Sequence, residues 1–264
     1  MWEDRGHIEV GRSVVSFIEN KIRLNSSLAL DVGCGQGQVS LAIAEKSGEV
    51  FSLDISEDSM KILKDRVGDL GVRNVLISFG SALFLPYRDN LFDLVVMNGV
   101  LEWIPLGTRK DPRETQLEAL REIRRVLKEG GLFYLGIENR FYLKYWLGWR
   151  DHSGLRFASI LPRKIANWYS KAVKGEEYRH YIYSLTGYKK LLTEAGFKKI
   201  EFYTALPNYK FPMYIIEIDN KKEIKNKIKK VQGNKLLKAG GYLLASSRYL
   251  YKKLGPDYVI LSEA

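Results

Sequence analysis

The chain has 264 residues, 45% of them hydrophobic, with 42 lysines and arginines against 31 acids for a formal net charge of +11. That length and apolar fraction suit one large folded domain and exclude a disordered chain. The lone cysteine, Cys34, excludes an internal disulfide framework, no apolar run reaches the roughly 18 residues of a membrane span, and the N-terminus lacks a secretory apolar core, so a cytoplasmic protein is expected.

The first strand is predicted at 28–32, LALDV, a short apolar run that ends on glycines. Val39, Ala42 and Ile43 then recur at helical spacing. A second strand follows at 49–55 and a helix at 56–71, in which Met60, Leu63 and Val67 share one stripe. Ser56 is placed to cap that helix, and Glu57 and Asp58 suit its positive end. Strands are predicted at 74–80 and 92–100. The second of these is apolar almost throughout, as a strand covered on both faces should be. A long helix carries Leu117, Leu120, Ile123 and Leu127 on one face and is expected to end at Lys128 and Gly130. A fifth strand spans 130–138. Strands separated by helices imply an α/β, Rossmann-like, doubly wound sheet, mostly parallel, whose ligands lie at the carboxyl ends of the strands.

After residue 140 the rhythm breaks. Residues 141–185 are rich in aromatic and basic side chains and read as a helical cap over the substrate. Rhythm returns at 186–206 with a helix and a strand. The stretch 207–256 reads as a basic, largely helical insertion, with KKEIKNKIKK at 221–230. The ending PDYVILSEA is expected to form a last, antiparallel strand. The whole of 1–264 is expected to be a single domain whose cofactor-binding core is 25–140.

Gly33, Gly35 and Gly37 alternate directly after the first strand. Such a turn presents backbone N–H groups to a ligand and lets the ligand approach closely. Asp54 closes the second strand 21 positions beyond Gly33, where a carboxylate accepts from two ribose hydroxyls. Together they define a nucleoside site. The dinucleotide fingerprint G-x-G-x-x-G is not met, since G-C-G-Q-G stands in its place.

The segment LALDVGCGQG resembles motif I of the class I methyltransferases that use S-adenosylmethionine. SLDIS, then GSALFLPYRDNLFDLVVMNGVLEWI (80–104), then LREIRRVLKEGGLFYLGIEN (120–139) follow in that family's order. The resemblance covers about 25–140 and again 185–205. It implies S-adenosyl-L-methionine as cofactor, its methionine part facing Asp31, Gly33, Cys34, Gly35 and Gly37. Asp54 would take the ribose, and Ile55, Ser81 and Ala82 would meet the adenine. Ser81 stands where many relatives carry an acid. Asn98, Gly99 and Val100 would line the side from which the methyl group leaves.

For the acceptor, His152 beside Asp151 is the candidate general base, with Asp151 as its partner. Glu138, Asn139 and Arg140 end the fifth strand in GIENRF and are placed to face the cleft as substrate ligands. Arg179 and Tyr181 belong to a later group of aromatics and arginines suited to sugar stacking or phosphate binding. No metal site is read. GVLEW, GIENRF, LGWRDHSGLRF and YRHYIYSLTGYKKLL together resemble a subset of these enzymes found among builders of surface polysaccharides or glycolipids. This implies a hydroxyl or phosphate of a glycan or glycolipid as acceptor. One rival is a small quinone-precursor-like acceptor. Another is RNA, invited by the charge but without an Asn-Pro-Pro-Tyr-like stretch after the fourth strand or an added RNA-binding module. Tyr242, Leu243, Leu244, Tyr249 and Leu250, interleaved with the basic residues of 221–253, suit peripheral contact with an anionic membrane.

Overall fold

The computed structural model describes residues 2–264, with side chains from Glu9 onward. The elements of the first half are α1 (Trp2–Glu19), β1 (Leu28–Val32), α2 (Gln38–Ala44), β2 (Glu49–Asp54), α3 (Glu57–Asp69), β3 (Val75–Phe79), β4 (Phe92–Asn98), a 3-10 turn (Ile104–Gly107), α4 (Pro112–Val126) and β5 (Leu127–Ile137). Those of the second half are α5 (Leu143–Trp146), α6 (Arg163–Lys174), α7 (Leu185–Glu194), β6 (Lys198–Leu206), β7 (Tyr214–Glu217), α8 (Lys221–Lys230), α9 (Lys235–Leu244), α10 (Arg248–Leu254) and β8 (Tyr258–Glu263).

The strands form one sheet in the order β3-β2-β1-β4-β5-β8-β6-β7. Neighbours from β3 to β5 are parallel, whereas β8 runs against both β5 and β6, and β7 runs against β6. Strand order reverses between β1 and β4, and the crevice at their carboxyl ends is where this topology places a ligand. The sheet is covered on both faces because successive residues of β4 point to opposite sides. Leu94 and Val96 pack with Val14 and Ile18 of α1 and with Val39 and Ile43 of α2. Val95 and Met97 pack with Leu117, Leu120 and Ile123 of α4. Each such buried aliphatic side chain contributes about 1.5–3 kcal/mol. Ser56 caps α3, its hydroxyl accepting from the Ser59 N–H at 3.2 Å.

Some local expectations are corrected. The fourth helix ends at Val126, not at Lys128 and Gly130, because Leu127 is already extended and pairs with Phe92. Gly130, at φ +74°, belongs to an irregular stretch of β5 rather than to a helix cap. The basic stretch after residue 207 is not helical throughout: the short edge strand β7 precedes its helices. The cap contains α6, a helix of 12 residues closed by left-handed Gly175.

The cap leaves and rejoins the core at one point. The Arg140 N–H donates to the Tyr183 carbonyl at 3.0 Å, so the intervening chain is a closed excursion. It has a small core of its own in Leu155, Ala158, Ala166 and Tyr178. Among the described residues, no helix is long and apolar enough to cross a membrane.

Candidate active site

A cavity of about 460 Å³ opens at the reversal point of the sheet. Gly33, Asp54, Ile55, Ser81, Ala82, Gly99, Val100 and Trp103 line it. Gly33 sits at φ +71°, and a Cβ there would meet a Val100 methyl at 2.3 Å, so only glycine lets the loop close on the β4 end. Asp54 is held by backbone alone: one oxygen accepts from the Gly35 N–H and the other from the Ser56 N–H, both at 2.8 Å. A carboxylate oxygen has two lone pairs, so each keeps acceptor capacity for a vicinal diol. Ile55 is exposed at the rim and offers an apolar face to a flat heteroaromatic ring. The lining therefore fits a nucleoside with an apolar base.

The other residues implied as cofactor ligands do not line this cavity. Asp31 is buried and accepts from the Ser40 hydroxyl at 2.6 Å, and burial lifts its carboxyl to about 6. The Cys34 thiol is buried and pushed well above its ordinary value by desolvation, which leaves it unreactive at neutral pH. Gly35 spends its N–H on Asp54. Gly37 is the left-handed residue that opens α2. The Asn98 amide oxygen fills the space that a side chain at position 136 would need, 1.9 Å from where a Cβ would stand.

Behind Gly99 and Trp103 lies a cluster of buried polar groups. Gly99 has φ +74°, and the Tyr209 ring packs where its Cβ would be, at 2.7 Å. The Tyr209 hydroxyl donates to Glu102 Oε1 at 3.2 Å. Glu102 is fully buried and its Oε2 has no partner. Burial pushes its carboxyl up to about 8, so it holds its proton at neutral pH. Glu138 accepts from the Lys144 ammonium at 2.9 Å and from the Tyr145 hydroxyl at 2.6 Å. Burial opposes its charge, but Lys144, His152 and Tyr145 outweigh it and hold the carboxyl below its ordinary value.

His152 stands between the two acids, Nε2 lying 3.2 Å from Glu138 Oε2 and 3.5 Å from Glu102 Oε1. Its ring is not aligned for a hydrogen bond with either, so Nε2 remains unpartnered. Burial lowers its pKa, partly offset by Glu138, so it is neutral at pH 7. The Trp103 ring lies 4.8 Å from His152 and 4.9 Å from His180, centroid to centroid. Trp103 thus belongs both to the cavity lining and to the acid–histidine cluster. The arrangement can take a proton from an acceptor and hold the resulting imidazolium against a carboxylate.

The expected partnership of Asp151 with His152 is not formed. Asp151 accepts from the Ser153 N–H at 2.9 Å and from the Tyr178 hydroxyl at 2.8 Å, which ties the turn of the cap. Glu138 and Glu102 are the acids beside His152 instead. Asn139 and Arg140 do not face the cleft either. The Asn139 amide donates to the Lys253 and Gly255 carbonyls at 3.1 and 2.9 Å. Arg140 donates to the Ser159 and Leu161 carbonyls at 2.7 and 2.6 Å, and burial lowers its pKa to about 10. Arg179 donates to the Pro105 and Lys110 carbonyls at 3.0 and 2.5 Å. The Tyr181 ring lies under the Arg163 guanidinium at 4.1 Å. The arginines of the cap thus clamp backbone. Carbonyl acceptors carry no sequence signal, and the side chains alone look like ligands.

Glu102, Trp103, Lys144, Tyr145 and Tyr209 were not singled out as site residues from the sequence. Glu102 had a signal, an acid set inside the otherwise apolar stretch NGVLEWI. Tyr209 had none, because its contact with Gly99 joins the loop after β4 to the loop after β6, segments far apart in the sequence.

Residues 30–135 match the family model described as a methyltransferase domain. Together with the sheet order and the glycine loop, that match makes this segment similar to the methyltransferase domains that use S-adenosylmethionine. Curated relatives include demethylmenaquinone methyltransferases. That of Geobacillus kaustophilus is 38% identical over 107 residues, covering 39% of this chain and 42% of the relative. That of Bacillus subtilis is 34% identical over 132 residues, covering 45% and 53%. The chain therefore spans about half the length of these relatives, or less. Among solved structures, the [4+2]-cyclase SpnF superimposes with TM-score 0.57 at 20% identity, over 96% of this chain and 80% of its own. A possible histamine N-methyltransferase from Thermotoga maritima gives 0.54 at 16% identity, over 98% and 91%. A Haemonchus contortus N-methyltransferase bound to S-adenosylhomocysteine gives 0.56 at 16% identity, over 94% and 51%. These likenesses establish the Rossmann-like fold, which the cyclase shares with the methyltransferases.

Proposed function

We propose that this protein is an S-adenosylmethionine-dependent methyltransferase acting on a hydroxyl group, with a glycan or glycolipid as the acceptor class. The observation that carries the reading is the cluster of Glu102, Glu138 and His152 directly behind the Gly99 and Trp103 walls of the nucleoside cavity. When bound, the cofactor supplies an electrophilic methyl group on a sulfonium. Asp54 would hold its ribose, while Ile55, Ser81 and Ala82 would hold its adenine. Neutral His152 would accept the hydroxyl proton as the acceptor oxygen attacks. Ionised Glu138 would stabilise the imidazolium so formed, and protonated Glu102 adds no second negative charge beside it. Trp103 offers a ring face of the kind on which a sugar or aromatic acceptor stacks. Because Arg140 and Arg179 are committed to carbonyls, the site supports a hydroxyl better than the phosphate alternative.

A quinone-precursor-like acceptor is the second reading. Val100, Trp103, Ile104 and Leu106 give the cavity an apolar wall that suits it, and the curated relatives act on a demethylmenaquinone by name. Transfer of a labelled methyl group from S-adenosylmethionine to fractionated cell extract tests both readings. Label in an alkali-stable glycolipid or oligosaccharide fraction supports the first, label in the prenylquinone fraction supports the second, and no transfer to any fraction overturns the assignment.

We also place the helical insertion at an anionic membrane surface. On α9, Leu236, Ala239 and Leu243 form an exposed apolar stripe at helical spacing. Lys225 and Lys229 of α8 reach across to the Tyr242 ring at 5.2 and 5.1 Å, which brings cationic side chains to the border of that helix.

A further inference from the structure

A second cavity, of about 210 Å³, lies beneath the helical insertion. A single water needs only about 10–15 Å³ by the same measure, so this is ligand-sized space. Its wall is mostly apolar, from Leu143, Leu206, Ile228, Val231, Leu237 and Leu244. Among its polar lining residues, Asp257 is the one fully buried, at 1% exposure. Its carboxylate interacts with the Tyr209 backbone N–H, yet Oδ1 has no hydrogen-bond partner. A buried acceptor left unsatisfied is costly, and a ligand donor would recover that cost.

The cations along this wall are already engaged. The Lys144 ammonium faces Asp257 but donates to Glu138 at 2.9 Å. Lys238 donates to the Val231 carbonyl at 2.7 Å. At its buried end the cavity therefore offers the open Asp257 oxygen as an acceptor, inside a largely apolar sleeve. We propose that it is a second binding site, for the apolar chain of an amphiphile whose polar end is a hydrogen-bond donor, an alcohol or an amine. Lys144 borders this cavity and pairs with Glu138, which adjoins His152, so an occupant would sit one ion pair away from the candidate base. The site itself does not depend on the methyltransferase reading.

Titration calorimetry on the full chain with 1-octanol, octylamine and octanoate, each below its micellar concentration, tests the proposal without any cofactor. Octanol and octylamine are expected to bind at one equivalent, and octanoate at least tenfold more weakly. Gly241→Leu adds a side chain to the wall at a helix-interior glycine, where a Cβ makes only an ordinary 3.5 Å contact with Ile228. It should abolish binding while the melting temperature holds or rises. Asp257→Asn should weaken octylamine more than octanol. Octanoate binding as well as the alcohol, or alkyl binding untouched by Gly241→Leu, or no binding of any probe, would overturn the site. Octyl glucoside with labelled S-adenosylmethionine then separates two sources of the ligand. Label on the glucoside makes the occupant the acceptor's own chain, and binding without label makes it a separate lipid. Either result keeps the site.

Discussion

His152 Nε2 lies 3.2 Å from Glu138 Oε2, although one residue belongs to the cap and the other directly follows β5. This contact joins the excursion after β5 to the carboxyl end of the last parallel strand of the sheet. It also fixes the direction of the pH dependence. A general base must be neutral, and burial lowers the pKa of His152 below its ordinary 6.5. The value of kcat/KM should therefore rise with pH through that lowered pKa and flatten near neutrality. His152→Ala should reduce kcat by about 10²–10⁴-fold while S-adenosylhomocysteine affinity stays unchanged. Glu138→Gln should move the acid limb to lower pH, since the ionised carboxylate raises the histidine pKa. An acid limb unmoved by Glu138→Gln removes the residue from this positioning role.

Glu102 makes a stability prediction with the opposite slope to that of ordinary acids. Its folded pKa is about 8, against about 4.5 when exposed. Between those values the folded chain keeps a proton that the unfolded chain releases. This contribution is fully present below pH 4.5 and is lost as pH rises toward 8, at about 1.4 kcal/mol per pH unit. By pH 7 the loss is on the order of 3 kcal/mol. Glu102→Gln does not titrate, so its melting temperature should gain on the wild type steadily from pH 5 to pH 8. Parallel melting curves across that range would show that Glu102 is ionised in the fold.

Much of the fold was legible because the residues that set it act locally. LALDV matches β1 at both ends, and Ser56 caps α3 through the hydroxyl that marks it. The Gly33 and Asp54 pairing was legible for the same reason, since both end neighbouring parallel strands. The cap was legible only as a composition. Arg140, Arg179 and Asn139 are polar groups at a strand end or between aromatics, a pattern shared by ligand contacts and by clamps on carbonyls. Which of the two applies depends on chain segments far away in sequence. Glu102 and Tyr209 meet only after β6 returns to the sheet, and no spacing announces that contact.

Asp54 provides the test of the cofactor. If the cavity takes the nucleoside of S-adenosylhomocysteine, that compound at 100 times its Kd should stabilise the chain by about 2.7 kcal/mol. For a chain of this size that is a rise of roughly 5–10 °C in Tm. Asp54→Asn keeps acceptor capacity on one side only and should cut the rise by more than half, and Asp54→Ala should abolish it. A wild-type Tm that does not respond sinks the cofactor assignment, and an Asp54→Ala protein that still responds sinks the role given to the carboxylate.

The membrane surface proposed for α8 and α9 predicts a particular pattern of vesicle binding. Leu236 and Leu243 are 63% and 71% exposed, on one stripe of a helix bordered by lysines. Each lysine near an anionic surface contributes about 1 kcal/mol, and this part fades as salt shortens the screening length. The leucines contribute by burial in the headgroup boundary, which salt does not weaken. The protein should therefore sediment with vesicles containing phosphatidylglycerol, weakly or not at all with pure phosphatidylcholine, and less as salt rises. Leu236→Ser with Leu243→Ser should reduce binding about tenfold or more at low salt, and should leave the S-adenosylhomocysteine-induced rise in Tm intact because the cofactor cavity is built from other elements. Equal binding to both vesicle types would contradict the electrostatic part. Binding unaffected by the double substitution would mean that the lysines act alone, and a shared RNA competitor would then displace the vesicles.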